Sequence, residues 1–439
     1  MINTLAMKRI LFILLLPAQL AFGQNEISLD DCYSWARENY PNLAKTEIWQ
    51  EITQLKKDNL KTGYLPQVSL NGQATYQSEV TSIDISLPNV SIPTVSKDQY
   101  KAYAEFRQTL WDGGLTAANA QLEDALLKSH LSELEVDLYQ LNEQVAQAFF
   151  TALVVEKQIE VVRAQNKVLT EKLSSVESAI RNGMVEKTSS LEIRAEILNL
   201  AQDEIQLVAA KNSAIQMLSI LTGKTTTQDA ELTFNEKPVL PGKNPSRPEY
   251  QLFSNQKAQL ETQMTLLDKS RNPKLFGFGQ AGYGKPGLNM LKNEFDTYYL
   301  VGIGLSWNVF DWNKTNRQKQ VLTLQQEMIL KQEETFTQNI RVLLANQNEQ
   351  MNKLKAILET DREMVELRKE ISKSANSKFE NETTTTSDYI RELQAETMAK
   401  LNFELHKIQL NEAKEKYNLI KGNVDSGQSQ SQFSEKINQ

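Results

Sequence analysis

Residues 115–182 contain neither proline nor glycine and stop at an Asn182-Gly183 pair. Read as one helix, that stretch spans roughly 100 Å at 1.5 Å per residue. Its apolar positions step alternately by four and three through Leu127, Leu131, Leu134, Leu138, Leu141, Val145, Ala148, Ala152, Val155, Ile159 and Val162. Asn166 interrupts the stripe, which resumes at Leu169, Leu173, Val176 and Ile180. A period of 3.5 over so many turns is the seam of a coiled coil rather than a helix face on a globular core. A second long helix, about 313–379, keeps the period less strictly through Ile340, Leu344, Met351, Leu354 and Leu358, with Gln347 and Asp361 breaking it. Both helices reverse at short polar turns, 183–187 and 380–386, and return to Gly223 and Gly422, residues suited to ending helices.

The two long helices are entered through the same corner. "TLWDGGLTAANAQ" (109–121) and "NVFDWNKTNRQKQ" (308–320) place Asp112 and Asp311 at a spacing of 311 − 112 = 199, which recurs at Asn182/Asn381, Thr188/Ser387 and Gly223/Gly422. Upstream, "LPQVSLNGQATY" (65–76) matches "NPKLFGFGQAGY" (272–283) at a spacing of 283 − 76 = 207, which also pairs Pro41 with Pro248. The change in spacing falls between Tyr76 and Asp112, in a loop between two strands, where insertions are tolerated best. The chain therefore divides into an N-terminal helix (24–39), a first repeat (40–223), a linker (224–246), a second repeat (247–422) and a polar, disordered tail (423–439). Within the repeats, strands are expected at about 66–77, 99–111, 273–284 and 297–310. The long helices are placed at 115–182 and 313–379, and the return helices at 188–222 and 387–421.

The strands alternate. Val68, Leu70, Gly72, Ala74 and Tyr76 oppose Gln67, Ser69, Asn71, Gln73 and Thr75, and Tyr100, Ala102, Ala104 and Phe106 oppose Lys101, Glu105 and Arg107. Tyr299, Val301, Ile303, Leu305 and Trp307 share a face that reads as lipid-facing, with aromatics near both ends. The strand at 273–283 is less clean, since Phe276 and Phe278 fall on its nominally inner face. A soluble sheet with one wet face alternates in the same way. Segments of about 10 residues also suit tilted membrane strands, but four strands cannot close a barrel, whose minimum is about 8. A membrane reading thus demands several copies: two chains supply 8 strands and three supply 12.

Residues 7–24, "MKRILFILLLPAQLAFGQ", carry Lys8 and Arg9 before an apolar run and end in small residues, a secretory signal covering 1–23 whose start fits either Met1 or Met7. The single cysteine, Cys32, has no partner for an internal disulfide, and Asp31 before it does not suit lipid attachment. A formal charge of −7 with no basic cluster argues against nucleic acid. Enzyme signals fail on context. "GFGQAG" (277–282) is followed by Tyr283-Gly284-Lys285-Pro286-Gly287, where no phosphate-holding helix can begin, and "GKT" (223–225) lacks the earlier glycine of a P-loop. Two histidines and one cysteine offer no metal cluster. No catalysis, cofactor or metal is expected.

The signal, the duplicated strand–strand–helix unit, the Leu110-Trp111-Asp112-Gly113 and Val309-Phe310-Asp311 corners, and "YGKPGLNMLKNEFDTYYLVGIGLSWNVFDW" (283–312) together resemble the TolC-type outer-membrane efflux family over nearly all of 28–422. The resemblance implies an α+β membrane protein: a homotrimer whose 12-stranded barrel, four transmembrane strands per chain, continues into an α-helical coiled-coil barrel. It implies a location in the outer membrane, with the helices in the periplasm. It further implies an exit duct for a tripartite efflux pump or type I secretion system, working with a periplasmic membrane-fusion adaptor and an RND or ABC inner-membrane pump. Asp388 matches an acidic pore-constriction position, and Arg391 stands where a second acid would follow. Asn182, Gly183, Met184 and Val185 match the adaptor-contacting turn. The alternative is a periplasmic coiled-coil adaptor or scaffold without a pore.

Overall fold

The computed structural model describes residues 26–81, 94–183, 185–225, 231–234, 238, 245–381 and 383–423. The signal and most of the tail lie outside them. A short strand β1 (Glu26–Ser28) leads into helix α1 (Leu29–Asn39), a turn of 3₁₀ helix (Pro41–Ala44) and α2 (Lys45–Thr62). Then come β2 (Gln67–Tyr76), β3 (Asp98–Trp111), α3 (Leu115–Arg181) and α4 (Lys187–Thr222). After β4 (Glu231–Thr233) the same series of types runs again as α5 (Pro248–Ser270), β5 (Lys274–Lys285), β6 (Asp296–Ser306), α6 (Lys314–Glu380) and α7 (Thr386–Lys421). The corresponding helices have equal lengths, 67 residues for α3 and α6 and 36 for α4 and α7.

Four of the strands form one antiparallel sheet in the order β2-β3-β5-β6, in which β2 and β6 are open edges among the described residues. Register places Val68 opposite Phe106, Phe106 opposite Gly279 and Gly279 opposite Val301, which aligns the apolar positions of all four strands on one face. A bulge between Thr109 and Trp111 sets Trp111 opposite Leu275, itself opposite Leu305. The inserted residue thereby turns Trp111 to the apolar face, where uninterrupted alternation would have placed Leu110. β6 ends at Ser306, short of the expected 310, because its partner begins at Lys274, opposite Ser306, and offers no further ladder.

The first residues of the expected N-terminal helix are extended instead: β1 pairs in parallel with β4, inside the expected linker, at Ile27 and Leu232. Both side chains are buried, and three residues are too few for alternation to be legible in sequence. α1 then starts on a capping box between Ser28 and Asp31, with the Asp31 amide donating to Ser28 Oγ at 3.2 Å.

The main core lies midway along α3 and against the last turns of α4. Cys32, Tyr33 and Ala36 of α1 pack with Phe149 and Phe150 of α3 and with Ile215 and Leu218 of α4. Burial pushes the Cys32 thiol up to about 12 and keeps it inert. Beside this core Arg247 is bound to Glu249 at 2.5 Å and Glu143 at 3.1 Å, and lies 4.3 Å from the Tyr139 ring centroid. That cluster fastens the start of α5 to α3. The sequence's 3.5-period stripe is what α3 buries: Leu131, Leu134, Leu138, Leu141, Val145, Ala148, Ala152, Val155, Ile159, Leu169 and Val176.

Candidate functional site

Three places carry chemistry: the two faces of the sheet, the strand-to-helix corners and the helical tips. On the sheet, Tyr299, Val301, Ile303 and Leu305 are all exposed on one face, joined by Val68 and Leu70 of β2. Leu70 is 85% and Ile303 72% exposed, so this face has no cover among the described residues. Trp307 is exposed too but lies past the end of β6, its indole N–H donating to the Arg271 carbonyl at 3.1 Å. Aromatic residues mark both ends of the face, Tyr76, Tyr100 and Tyr283 at the loop end and Trp111 and Trp307 at the helix end.

The opposite face carries Gln67, Ser69, Asn71, Lys101, Glu105 and Arg107. Phe276 and Phe278 also belong to it, and glycines make room for them. A Cβ at Gly302 would stand 2.7 Å from Phe278 Cζ, and one at Gly304 would stand 2.4 Å from Phe276 Cζ. Arg107 covers the Phe276 ring at 4.3 Å from its centroid. The departure from strict alternation is therefore paired across strands, ring over glycine.

At the first corner the chain turns through Gly113 and Gly114, both with positive φ. Asp112 accepts from the backbone N–H groups of Gly114 at 2.8 Å, Leu115 at 3.2 Å and Thr116 at 2.6 Å, and from the Tyr64 hydroxyl at 2.7 Å. Burial raises its carboxyl, but the hydrogen bonds from Thr116, Tyr64 and Gly114 outweigh this and hold it at about 2. One acid thus satisfies several of the orphan donors that open α3. Asn272 donates to the Gly113 carbonyl at 2.7 Å, tying this corner to the α5–β5 junction. The second corner makes the same turn with Trp312 and Asn313 at positive φ, and Asp311 accepts the Thr315 amide at 3.0 Å.

At the α6–α7 tip, Thr385 caps the helix. The Asp388 amide donates to Thr385 Oγ1 at 3.1 Å, and Thr385 Oγ1 donates to Asp388 Oδ2 at 2.8 Å. Arg391 reaches Asp388 at 3.0 Å, so the structure brings these two candidates together. The Thr385 hydrogen bond, with Arg391 nearby, lowers the Asp388 carboxyl. All of these contacts are local to a helix start.

At the α3–α4 tip, Asn182 ends α3, with its amide donating to Ser178 and Ala179, and Gly183 follows at φ +70 with nothing within 4 Å of a Cβ there. Glycine is needed for the backbone angle and not for space. Val185 is not free surface, since it packs on a cluster of Leu169, Val176, Ile193, Tyr389 and Leu393. Met184 lies outside the described residues.

That cluster was invisible in the sequence because it joins the two hairpins. Lys172 of α3 donates to Asn376 Oδ1 at 2.8 Å and pairs with Glu380 at 3.2 Å. Its ammonium lies 5.0 Å from the Phe379 ring and 5.3 Å from Tyr389, which stack on each other. A groove of about 570 Å³ beside it is lined by Gln165, Lys172, Lys373, Asn376, Glu396 and Lys400. Among the described residues no helix is long and apolar enough to cross a membrane, and no group of three or more His, Cys, Asp or Glu could hold a metal ion.

The family model described as outer membrane efflux protein matches residues 32–224. No curated protein matches the sequence. Among solved structures, the CmeC outer membrane channel of Campylobacter jejuni superposes with a TM-score of 0.63 at 13% identity, covering 93% of this chain and 89% of CmeC. The outer-membrane channel OprN gives 0.65 at 14% identity, covering 91% and 90%. The outer membrane protein VceC of Vibrio cholerae gives 0.60 at 14%, covering 90% and 97%. At such identities the likeness is one of fold, and it extends over nearly the whole chain. The sequence's resemblance to TolC-type proteins stands on both counts, the family model over 32–224 and the channel fold beyond it.

Proposed function

Given a TolC-like fold whose first half matches the outer membrane efflux proteins, we propose that this chain forms an outer-membrane channel of the efflux type, assembled from three copies. The observation that carries this reading is the sheet. It has unpaired edges at β2 and β6 and an exposed apolar face. In lipid, every unpaired backbone group costs several kcal/mol, so an open sheet cannot persist there. In water, the apolar face is the liability. Joining three sheets into a 12-stranded barrel removes both, and its polar face then lines a wet lumen. The equal-length hairpins of an internally duplicated chain continue the barrel as a helical tube reaching roughly 100 Å into the periplasm.

Transport through such a duct is passive, and the chain has no catalytic task. A membrane-fusion adaptor docks at the helical tips around Asn182–Val185 and links the tube to an RND or ABC pump in the inner membrane, in a tripartite efflux or type I secretion assembly. Asp388, once per chain, forms a ring of three at the threefold axis that attracts cations, braced by Arg391. Membrane fractionation followed by planar-bilayer recording tests the reading. Recovery with outer membranes and discrete single-channel currents are expected. A monomer released by osmotic shock and silent in bilayers would instead support a periplasmic adaptor or scaffold.

A further inference from the structure

The loop joining β5 to β6 is far from the helices and carries Leu288, Met290, Leu291 and Phe295, each between 48% and 58% exposed. An ordinary surface loop is polar, and four large apolar side chains in so short a stretch call for a neighbour. The loop is also held in shape. Asn293 Oδ1 accepts from the Ser96 amide at 2.9 Å and from its hydroxyl at 2.6 Å, and Asn289 Oδ1 accepts the Leu291 amide at 3.0 Å. Pro286 at the loop's start is fully buried. Asn289 and Asn293 are committed to folding the loop and Lys292 pairs with Glu294 at 3.4 Å on its surface, while the apolar residues are left exposed.

Phe295 decides which way the loop leans. Its ring stacks on Tyr283 at 5.4 Å and on Tyr100 at 6.4 Å. Tyr100 and Tyr283 stand on the apolar face of the sheet, in register with Ala74 and Ala102. Phe295 therefore carries the apolar surface of the barrel wall without a break into the loop. We propose that the β5–β6 loop is a lipid anchor, laying Leu288, Met290 and Leu291 into the outer leaflet at the boundary of headgroups and acyl chains. Side chains on such interfacial segments reach about 5–10 Å into that boundary. Three copies would ring the barrel and fix its height in the membrane. The inference rests on the outer-membrane reading of the sheet and adds a segment to its lipid contact.

The test uses full-length protein with Cys32→Ala, carrying one new cysteine labelled with an environment-sensitive fluorophore: Met290→Cys, Ile303→Cys or, on an exposed helix position, Glu359→Cys. Each is reconstituted in phosphatidylcholine vesicles bearing nitroxides either near the headgroup or deep in the chains. The anchor predicts quenching at position 290 by the shallow nitroxide at least roughly twofold above that at position 359, with position 303 answering best to the deep one. Quenching at 303 but not at 290 would overturn the anchor and leave the barrel wall intact, and so would a blue-shifted but unquenched label at 290, which reports cover by protein. Silence at both positions would overturn the barrel reading and the anchor with it.

Discussion

Helices α3 and α6 are equal in length, 67 residues each, and opposite in setting. α3 is packed by α1, α2, α4, α5 and α7 and buries an almost unbroken stripe, whereas α6 packs mainly on α5 and α7 and buries Leu322, Ile340, Met351, Leu354 and little else that is apolar. On α6, Val321, Leu324 and Met328, and again Met364, Leu367 and Ile371, recur at helical spacing with their side chains exposed. α3 finds its partners within the chain and α6 finds fewer. The sheet repeats the contrast, with its inner strands paired on both sides and its outer strands on one. Stability of the single chain and stability of the proposed assembly therefore reside in different residues, and substitutions should separate them.

The largest separation is expected between Phe149→Ala and Leu324→Ala. Phe149 is fully buried in the main core, and its loss should cost about 3–5 kcal/mol in denaturant unfolding. Leu324 is 59% exposed, so Leu324→Ala should leave the chain's fold nearly unchanged, within about 0.5 kcal/mol, while loosening the assembly on dilution in detergent. Equal loss of fold from both would erase the contrast.

Next comes the sheet. Ile303→Arg puts a charge on its apolar face and should impair insertion into lipid vesicles by about 2–4 kcal/mol if the site lies near the membrane midplane. Normal assembly of this variant would speak against lipid contact.

The corners offer a finer comparison. Asp112 accepts four hydrogen bonds and Asp311 one from the backbone of the following helix, so Asp112→Ala should destabilise more than Asp311→Ala. The Asp112 carboxyl is held at about 2 instead of the usual 3.8, so its charged form adds about 2 kcal/mol that is present above pH 3.8 and lost as pH falls through about 2. Acid unfolding curves should show that limb in the native protein and lack it in Asp112→Ala. The smallest effect on the fold is expected at the tip. Asp388→Ala should change conductance or cation block in planar bilayers while leaving thermal unfolding almost unmoved, and unchanged currents would remove Asp388 from the pore.

Much of this was legible because it is periodic or local. The four-and-three stepping from Leu131 to Val176 marked the buried side of α3, alternation marked the faces of β2 and β6, and the repeated Trp-Asp and Phe-Asp steps marked where strand turns into helix. Asp388 and Arg391, three apart on a helix, had to be neighbours. What stayed hidden depends on partners remote in sequence. Lys172 meets Phe379, Tyr389 and Glu380 only because two hairpins lie side by side, and Val185 is drawn into the same cluster. β1 exists only because β4 returns to it. The bulge that turns Trp111 outward and the early end of β6 at Ser306 are set by register with β5, which alternation along one strand cannot report.

The central claim is that one chain cannot complete its own sheet and α6 face and does so with two further copies. Native mass spectrometry of the detergent-extracted protein tests this most directly. The account predicts a complex of three times the chain mass that releases single chains only on activation. A stable species at the mass of one chain, soluble without detergent, would contradict it.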